Sequence, residues 1–301
     1  LLRPVYTLRP GVVPLFRRAE LYFPGASITL VARDQIGPLV AEQYPDYPVS
    51  IVKREGGADV LFLNGRLRSY GNLPDLVKES RLSTVFKSQG DTIAVLFKID
   101  TIQAVPVLAT HQDYVREFQF HQADIPEFAT TATLYNHLWE MVDDIEKMIT
   151  EDVGFLKSTL GTATSTRVHT GSHIVNADRV FLGNDVEICP GAIIDASKGP
   201  VMIGPNTRIE SHASMYGPCF VGANSVVLAG KISQCSVGPT CRVGGELEES
   251  ILQSYVNKYH AGFIGHSYVG SWVNFGAMTT NSDLKNNYSP VKVSMGGKMI
   301  D

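Results

Sequence analysis

Ile203-Gly204, Ile209, Met215, Val221-Gly222, Val227: this stretch returns an apolar side chain at every sixth position without a slip. Leu182-Gly183, Ile188 and Ile194 precede it, and Val237-Gly238, Val243-Gly244, Ile264-Gly265, Val269-Gly270 and Phe275-Gly276 follow. A period of six suits neither an amphipathic helix nor an alternating strand. It suits a coil in which each short strand plus its corner uses six residues and turns one side chain inward. Stacked coils then bury a continuous apolar column that no single coil could bury alone. Glycine after the inward residue fits a corner that needs an unusual backbone angle or close approach. Lys198-Gly199-Pro200 resets the phase between Ile194 and Ile203 and reads as a loop at a corner.

Upstream the pattern changes. Only nine of the 27 glycines precede residue 160; eighteen lie in the final 141 residues. Residues 9–23 and 34–43 read as helices, the second with Asp34 as N-cap. Residues 27–32, 49–52, 58–63 and 92–98 read as strands. Strands spaced by helices predict a parallel sheet in an α/β layer fold. Leu134, Leu138, Met141, Val142, Ile145, Met148 and Ile149 recur at helical spacing and predict one long helix over residues 131–156 that closes this part. The expected domains are 1–157 and 161–301, with the border in the Ser/Thr-rich stretch between them.

With 301 residues, 44% hydrophobic and 19% charged, the chain has room for two cores. From Gly161 onward ten Lys/Arg balance ten Asp/Glu, so the net charge of −4 arises in the first part. No clustered basic face points to nucleic acid, and no apolar run is long enough to cross a bilayer. The four cysteines, Cys189, Cys219, Cys235 and Cys241, include no C-x-x-C pair and read as small buried hydrophobes in a reducing cytoplasm. The chain opens on Leu1 and ends at Asp301 without a cap for the open coil stack, so segments are expected beyond both ends.

His260-Ala-Gly-Phe-Ile-Gly-His-Ser-Tyr-Val-Gly-Ser-Trp-Val-Asn-Phe-Gly-Ala277 carries the most specific signal. It resembles the acetyltransferase active-site segment of the bacterial bifunctional enzymes that make UDP-N-acetylglucosamine, including a five-residue step from Ile264 to Val269. Asn257-Lys-Tyr-His-Ala-Gly-Phe-Ile-Gly-His-Ser-Tyr268 and Asn281-Ser-Asp-Leu-Lys-Asn-Asn-Tyr288 are similar to an alternate branch of that family, described as sugar nucleotidyltransferases. The resemblance implies an α/β nucleotidyltransferase-like (Rossmann-like) N-terminal domain followed by a C-terminal left-handed parallel β-helix of hexapeptide repeats. It also implies a homotrimer with acetyl-CoA bound between neighbouring coils, acting on sugar phosphates and nucleotides.

Acetyl transfer to a sugar amine needs a base that titrates near neutrality, and imidazole is suited to this. A lone His is more often an ordinary hydrogen-bonding residue, but the matched segment makes His260 the candidate base. Asn274 corresponds to a family contact to the amino sugar, or else belongs to an internal asparagine ladder that stabilises coil corners. Ala277 corresponds to a position whose backbone N–H meets the acetyl-CoA carbonyl. Lys258 reads either as a sugar-phosphate contact or as a solvated lysine, and His266 as structural. Phe263 replaces a sugar-contacting Tyr. Glu248-Glu249 replace a basic residue that holds phosphate, and Asp283-Leu284 stand where the family places an Asn-Tyr pair near the cofactor.

In the first part no Gly-rich phosphate loop follows a strand. Arg3 and Arg9 read as phosphate contacts or as solvated arginines flanking a turn. Where the family places a Mg²⁺-binding Asp, Asn64-Gly65-Arg66 occurs; neutral Asn suits a hard cation poorly, and Arg66 is the candidate anion contact. No protein metal site is predicted, although Mg²⁺ could arrive with a nucleotide. Three functional readings follow: an acyltransferase with a nucleotidyltransferase-like domain; a nucleotidyltransferase with a purely structural coil; and a non-catalytic sugar-nucleotide-binding scaffold.

Overall fold

The structure is a computed structural model that describes residues 3–49, 58–98, 125–157, 165–281, 286–287, 289 and 291–300. It divides into two compact units, Leu1–Met141 and Val142–Asp301. Among the described residues no helix is long and apolar enough to cross a membrane.

The first unit is α/β, but its sheet is mixed rather than parallel as expected. β1 (Val60–Leu63), β3 (Thr84–Ser88), β4 (Asp91–Phe97) and β5 (Glu127–Ala129) lie in the order β1-β4-β3-β5. Only β3 and β5 run parallel. The reason is local. Gln89 and Gly90, at φ 51° and 88°, form a two-residue turn that folds β4 straight back along β3. Phe86, Ile93 and Leu96 of the sheet share one buried cluster with Leu73. Leu30 and Val49 meet in a single parallel bridge, the one paired remnant of the strands expected at 27–32 and 49–52; residues 50–52 lie outside the described set.

Helix boundaries are set by proline and by side-chain caps. α1 spans Leu15–Tyr22 rather than 9–23, because Pro14 at ψ 155° holds the entry extended. α2 spans Gly37–Gln43, entered at Ile36 with no side-chain cap rather than capped by Asp34, with Pro38 in its first turn. The expected helix over 131–156 is two helices, α4 (Leu138–Asp143) and α5 (Ile145–Leu156), preceded by the short strand β6 (Thr133–Leu134). The α3 helix is Leu73–Glu79, and β2 (Leu67–Ser69) pairs with β6. Glu140 turns back to accept the backbone N–H groups of Asn136 (2.6 Å) and His137 (3.1 Å), so α4 begins there.

The second unit is a parallel β-solenoid of about six turns, consistent with a left-handed β-helix. Face A stacks Val168, Ile188, Ile209, Val227, Val243 and Lys258 in register. Face B stacks Ile174, Ile194, Met215, Ile232, Leu247 and Ile264. Face C stacks Leu182, Ile203, Val221, Val237, Leu252 and Val269. The inward aliphatic residues form one continuous core, with Cys219, Cys235 and Cys241 buried in it, none of them in a disulfide. Helix α5 lies against the strand Cys219–Val221, and Gln234 donates to Glu146 (3.4 Å).

The three corners differ. From face C to face A the inward residue advances by six in every turn, as in Ile203 to Ile209 and Leu252 to Lys258. There Asp185, Asn206, Asn224, Thr240, Tyr255 and Trp272 form a column of left-handed residues, φ between 52° and 67°. A Cβ on Gly204 or Gly222 would stand 2.6 or 2.5 Å from the backbone nitrogen of the next turn, so neither position admits a side chain. From face A to face B the step is six up to Ile209→Met215, then five (Val227→Ile232), then four (Val243→Leu247), and six again at Lys258→Ile264.

Candidate functional site

That return from four residues to six occurs where the sequence placed its candidate base. Tyr259, His260 and Ala261 occupy a corner two residues longer than the one it stacks on, and all three are exposed. The Tyr259 ring meets the His260 imidazole edge to face at 5.3 Å between centroids, giving the ring one aromatic wall. The following turn stacks directly on this corner: the Met278 N–H donates to Ala261 O (2.8 Å) and the Asn281 N–H to Phe263 O (3.1 Å). Ala277 is exposed in the turn thus tied to the His260 corner. Gly262, at φ +133°, lies against Thr279 O, where a Cβ would collide with the carbonyl.

Lys258 corrects the sequence reading. It is neither solvated nor turned toward a phosphate. Its side chain occupies the inward column of face A, 2% exposed. The ammonium donates to the carbonyl oxygens of Gly244 (2.6 Å), Gly262 (2.9 Å) and His260 (3.2 Å). Burial pushes its pKa down, and Glu246 opposes part of that shift. Counting six on from Leu252 would have identified 258 as an inward position.

Asn274 points outward beside Asn257, whose Nδ2 donates to Asn274 Oδ1 (2.6 Å); the pair lies on the outer side of face A and is not an internal ladder. Phe263 is half-buried, in register with Glu246 on face B. Glu248 and Glu249, which stand where the family has a phosphate-holding basic residue, are each engaged: Glu248 with Lys231 (3.2 Å) and Glu249 with His266 (2.5 Å). Asp283 lies outside the described residues. Asn281 escaped the sequence reading as a cap. Its amide accepts from Gly265 N–H and donates to Gly265 O, both 2.9 Å, replacing a strand partner at the edge of face B.

Within the first unit, Asn64 and Arg66 serve the turn after β1. Asn64 Nδ2 donates to Thr92 O (2.9 Å) and its Oδ1 accepts the Arg66 N–H (3.0 Å). Arg66 pairs with Asp91 (3.5 Å) and donates to Asn136 Oδ1 (2.9 Å). Next to it Arg68, Gln89, Asp91, Asn136 and Glu140 line a polar cleft of about 200 Å³. With both ends of its amide engaged and a cationic Arg66 beside it, Asn64 does not fit the Mg²⁺-ligand place that the family gives to an Asp. Among the described residues no group of three His, Cys, Asp or Glu is placed to hold a metal.

Arg3, Arg9 and Arg17 lie close enough to the Tyr44 phenol for their charges to offset part of the upward push that burial gives its pKa. Arg9 also donates to Val12 O. Tyr6, Tyr44 and Tyr47 surround Phe16 there in edge-to-face contacts.

A stretch of 132 residues is 26% identical to the Bifunctional protein GlmU of Synechococcus sp. (strain JA-3-3Ab). The match covers 36% of this chain and 21% of that protein, so the chain spans about a fifth of the relative's length. The family model described as sugar nucleotidyl transferase matches residues 1–159. With more than half of its 301 residues so matched, the chain belongs to the sugar nucleotidyl transferase family, transferases of sugar-nucleotide metabolism.

Proposed function

We propose that the solenoid transfers an acetyl group from acetyl-CoA to the amine of an amino sugar phosphate, with His260 as general base. One observation carries this reading: the imidazole stands on a protruding, solvent-facing corner instead of packing inside a turn. Acetyl-CoA supplies an activated thioester. As the sugar nitrogen forms its bond to the acyl carbon, His260 accepts the amine proton; the carbon–sulfur bond then breaks and the thiolate departs, taking up a proton. The backbone N–H of Ala277, on the turn stacked over this corner, is the candidate donor to the developing oxyanion. Asn274 and Phe263 offer a polar and an apolar contact to the sugar. The chain works as a homotrimer that brings a neighbouring coil to this corner.

The alternative, nucleotidyl transfer in the first unit with a structural solenoid, is favoured by the family match over residues 1–159. Two assays separate the readings. Release of free CoA thiol with amino sugar 1-phosphates supports the first, and pyrophosphate release with nucleoside triphosphates and sugar 1-phosphates supports the second. Absence of CoA release from wild-type protein across a panel of amino sugar phosphates refutes acyl transfer.

A further inference from the structure

Face A turns Ile188, Ile209, Val227 and Val243 inward in successive turns, and in the same column the next residue is Lys258. An ammonium in an apolar column is costly unless every proton finds an acceptor. Here three carbonyls receive it, and they are not scattered. Gly244 O belongs to the short four-residue corner below; His260 O and Gly262 O belong to the long six-residue corner above.

Where a longer corner stacks on a shorter one, its extra residues have no strand beneath them. Gly262 O still accepts from the Glu246 N–H (3.0 Å). His260 O faces inward to the lysine instead. One side chain thus substitutes for the missing ladder. It ties the carbonyl of the candidate base to the turn below, while the imidazole of the same residue faces out.

We infer that Lys258 is a positioning residue: its buried ammonium, shared by the carbonyls of Gly244, His260 and Gly262, sets the backbone of the widened corner and so the direction of the His260 ring. The inference deepens the acyl-transfer reading and rests on it for its catalytic consequence; the structural part stands alone. It also explains why a lysine two positions before the base is kept away from the substrate side.

The experiment uses K258M, which keeps the apolar stem and removes the three donors, and K258Q, which keeps an N–H donor on a shorter stem. Hydrogen exchange by mass spectrometry without substrate reports on the corner, and steady-state acyl transfer reports on the base. In K258M, exchange over residues 259–262 rises at least tenfold while residues 203–233 keep wild-type protection. The kcat falls at least tenfold with KM for the amino sugar within twofold, and K258Q lies between the two. Unchanged exchange at 259–262 overturns the inference. So does loosening of every turn alike, or failure of K258M to fold, since either makes Lys258 a general structural residue. If wild-type protein transfers no acyl group, the function proposed above fails while the exchange arm still decides the role of Lys258.

Discussion

Two corners of one solenoid follow opposite rules. The corner from face C to face A repeats a six-residue step in every turn, with a left-handed residue at the same place each time. The corner from face A to face B shortens to five and then four before widening again at Tyr259–His260. At the first, each turn lies flush on the next. At the second, a mismatch between neighbouring turns pushes residues outward and leaves backbone carbonyls that a lysine must satisfy. Regularity builds the column, and the break in regularity produces the exposed imidazole.

The comparison can be tested from both sides. His260→Ala removes the proposed base from the irregular corner; acyl transfer is expected to fall at least a hundredfold, about the scale of general base catalysis, with the oligomer intact by light scattering. Activity within a few-fold of wild type excludes the role. At the regular corner Gly222→Ala drives a Cβ to 2.5 Å from Pro239 N and should destabilise the fold by about 2–3 kcal/mol in denaturant unfolding. Gly270, at the equivalent place in the last turn, has nothing within 4 Å of its virtual Cβ, so Gly270→Ala should change stability by less than about 0.5 kcal/mol. Equal effects at both glycines contradict the close-approach account.

The column itself should show at alkaline pH. Burial pushes the Cys219 thiol from 9.0 up to about 12. Between those values the unfolded chain releases a proton that the folded chain retains, so stability declines as pH rises past 9.0 and levels off toward 12. Cys235 is raised too, so Cys219→Ser should flatten the decline only in part, measured as melting temperature against pH. Thr240 is a β-branched residue at φ 59° where the two preceding turns carry Asn206 and Asn224. Thr240→Asn should therefore stabilise by about 0.5 kcal/mol, and a loss of stability would count against the strain argument.

Legibility differed along the chain for physical reasons. The solenoid declared itself because each inward side chain is needed at each step, and a slip of one residue would turn it out. His260 could be found from a matched segment, and the structure leaves it exposed on a corner. Lys258 was misread because a lysine in an apolar phase looks like a solvated one until its three carbonyl partners are in view. In the first unit β1 was legible from Val60-Leu61-Phe62-Leu63. β3 was not, although Gln89-Gly90 between Thr84–Ser88 and Asp91–Phe97 carries the mark of a tight hairpin turn. Asn64 and Arg66 looked like ligand contacts because nothing local reveals that Thr92 O, Asp91 and Asn136 engage them.

Read by itself, the order of residues determined that the second part is a coil with a six-residue period, because inward packing and close backbone approach are demands of single turns. Tertiary structure decided which side of the coil each functional group faces. That choice depends on the difference in length between two stacked corners, and no turn carries that difference alone.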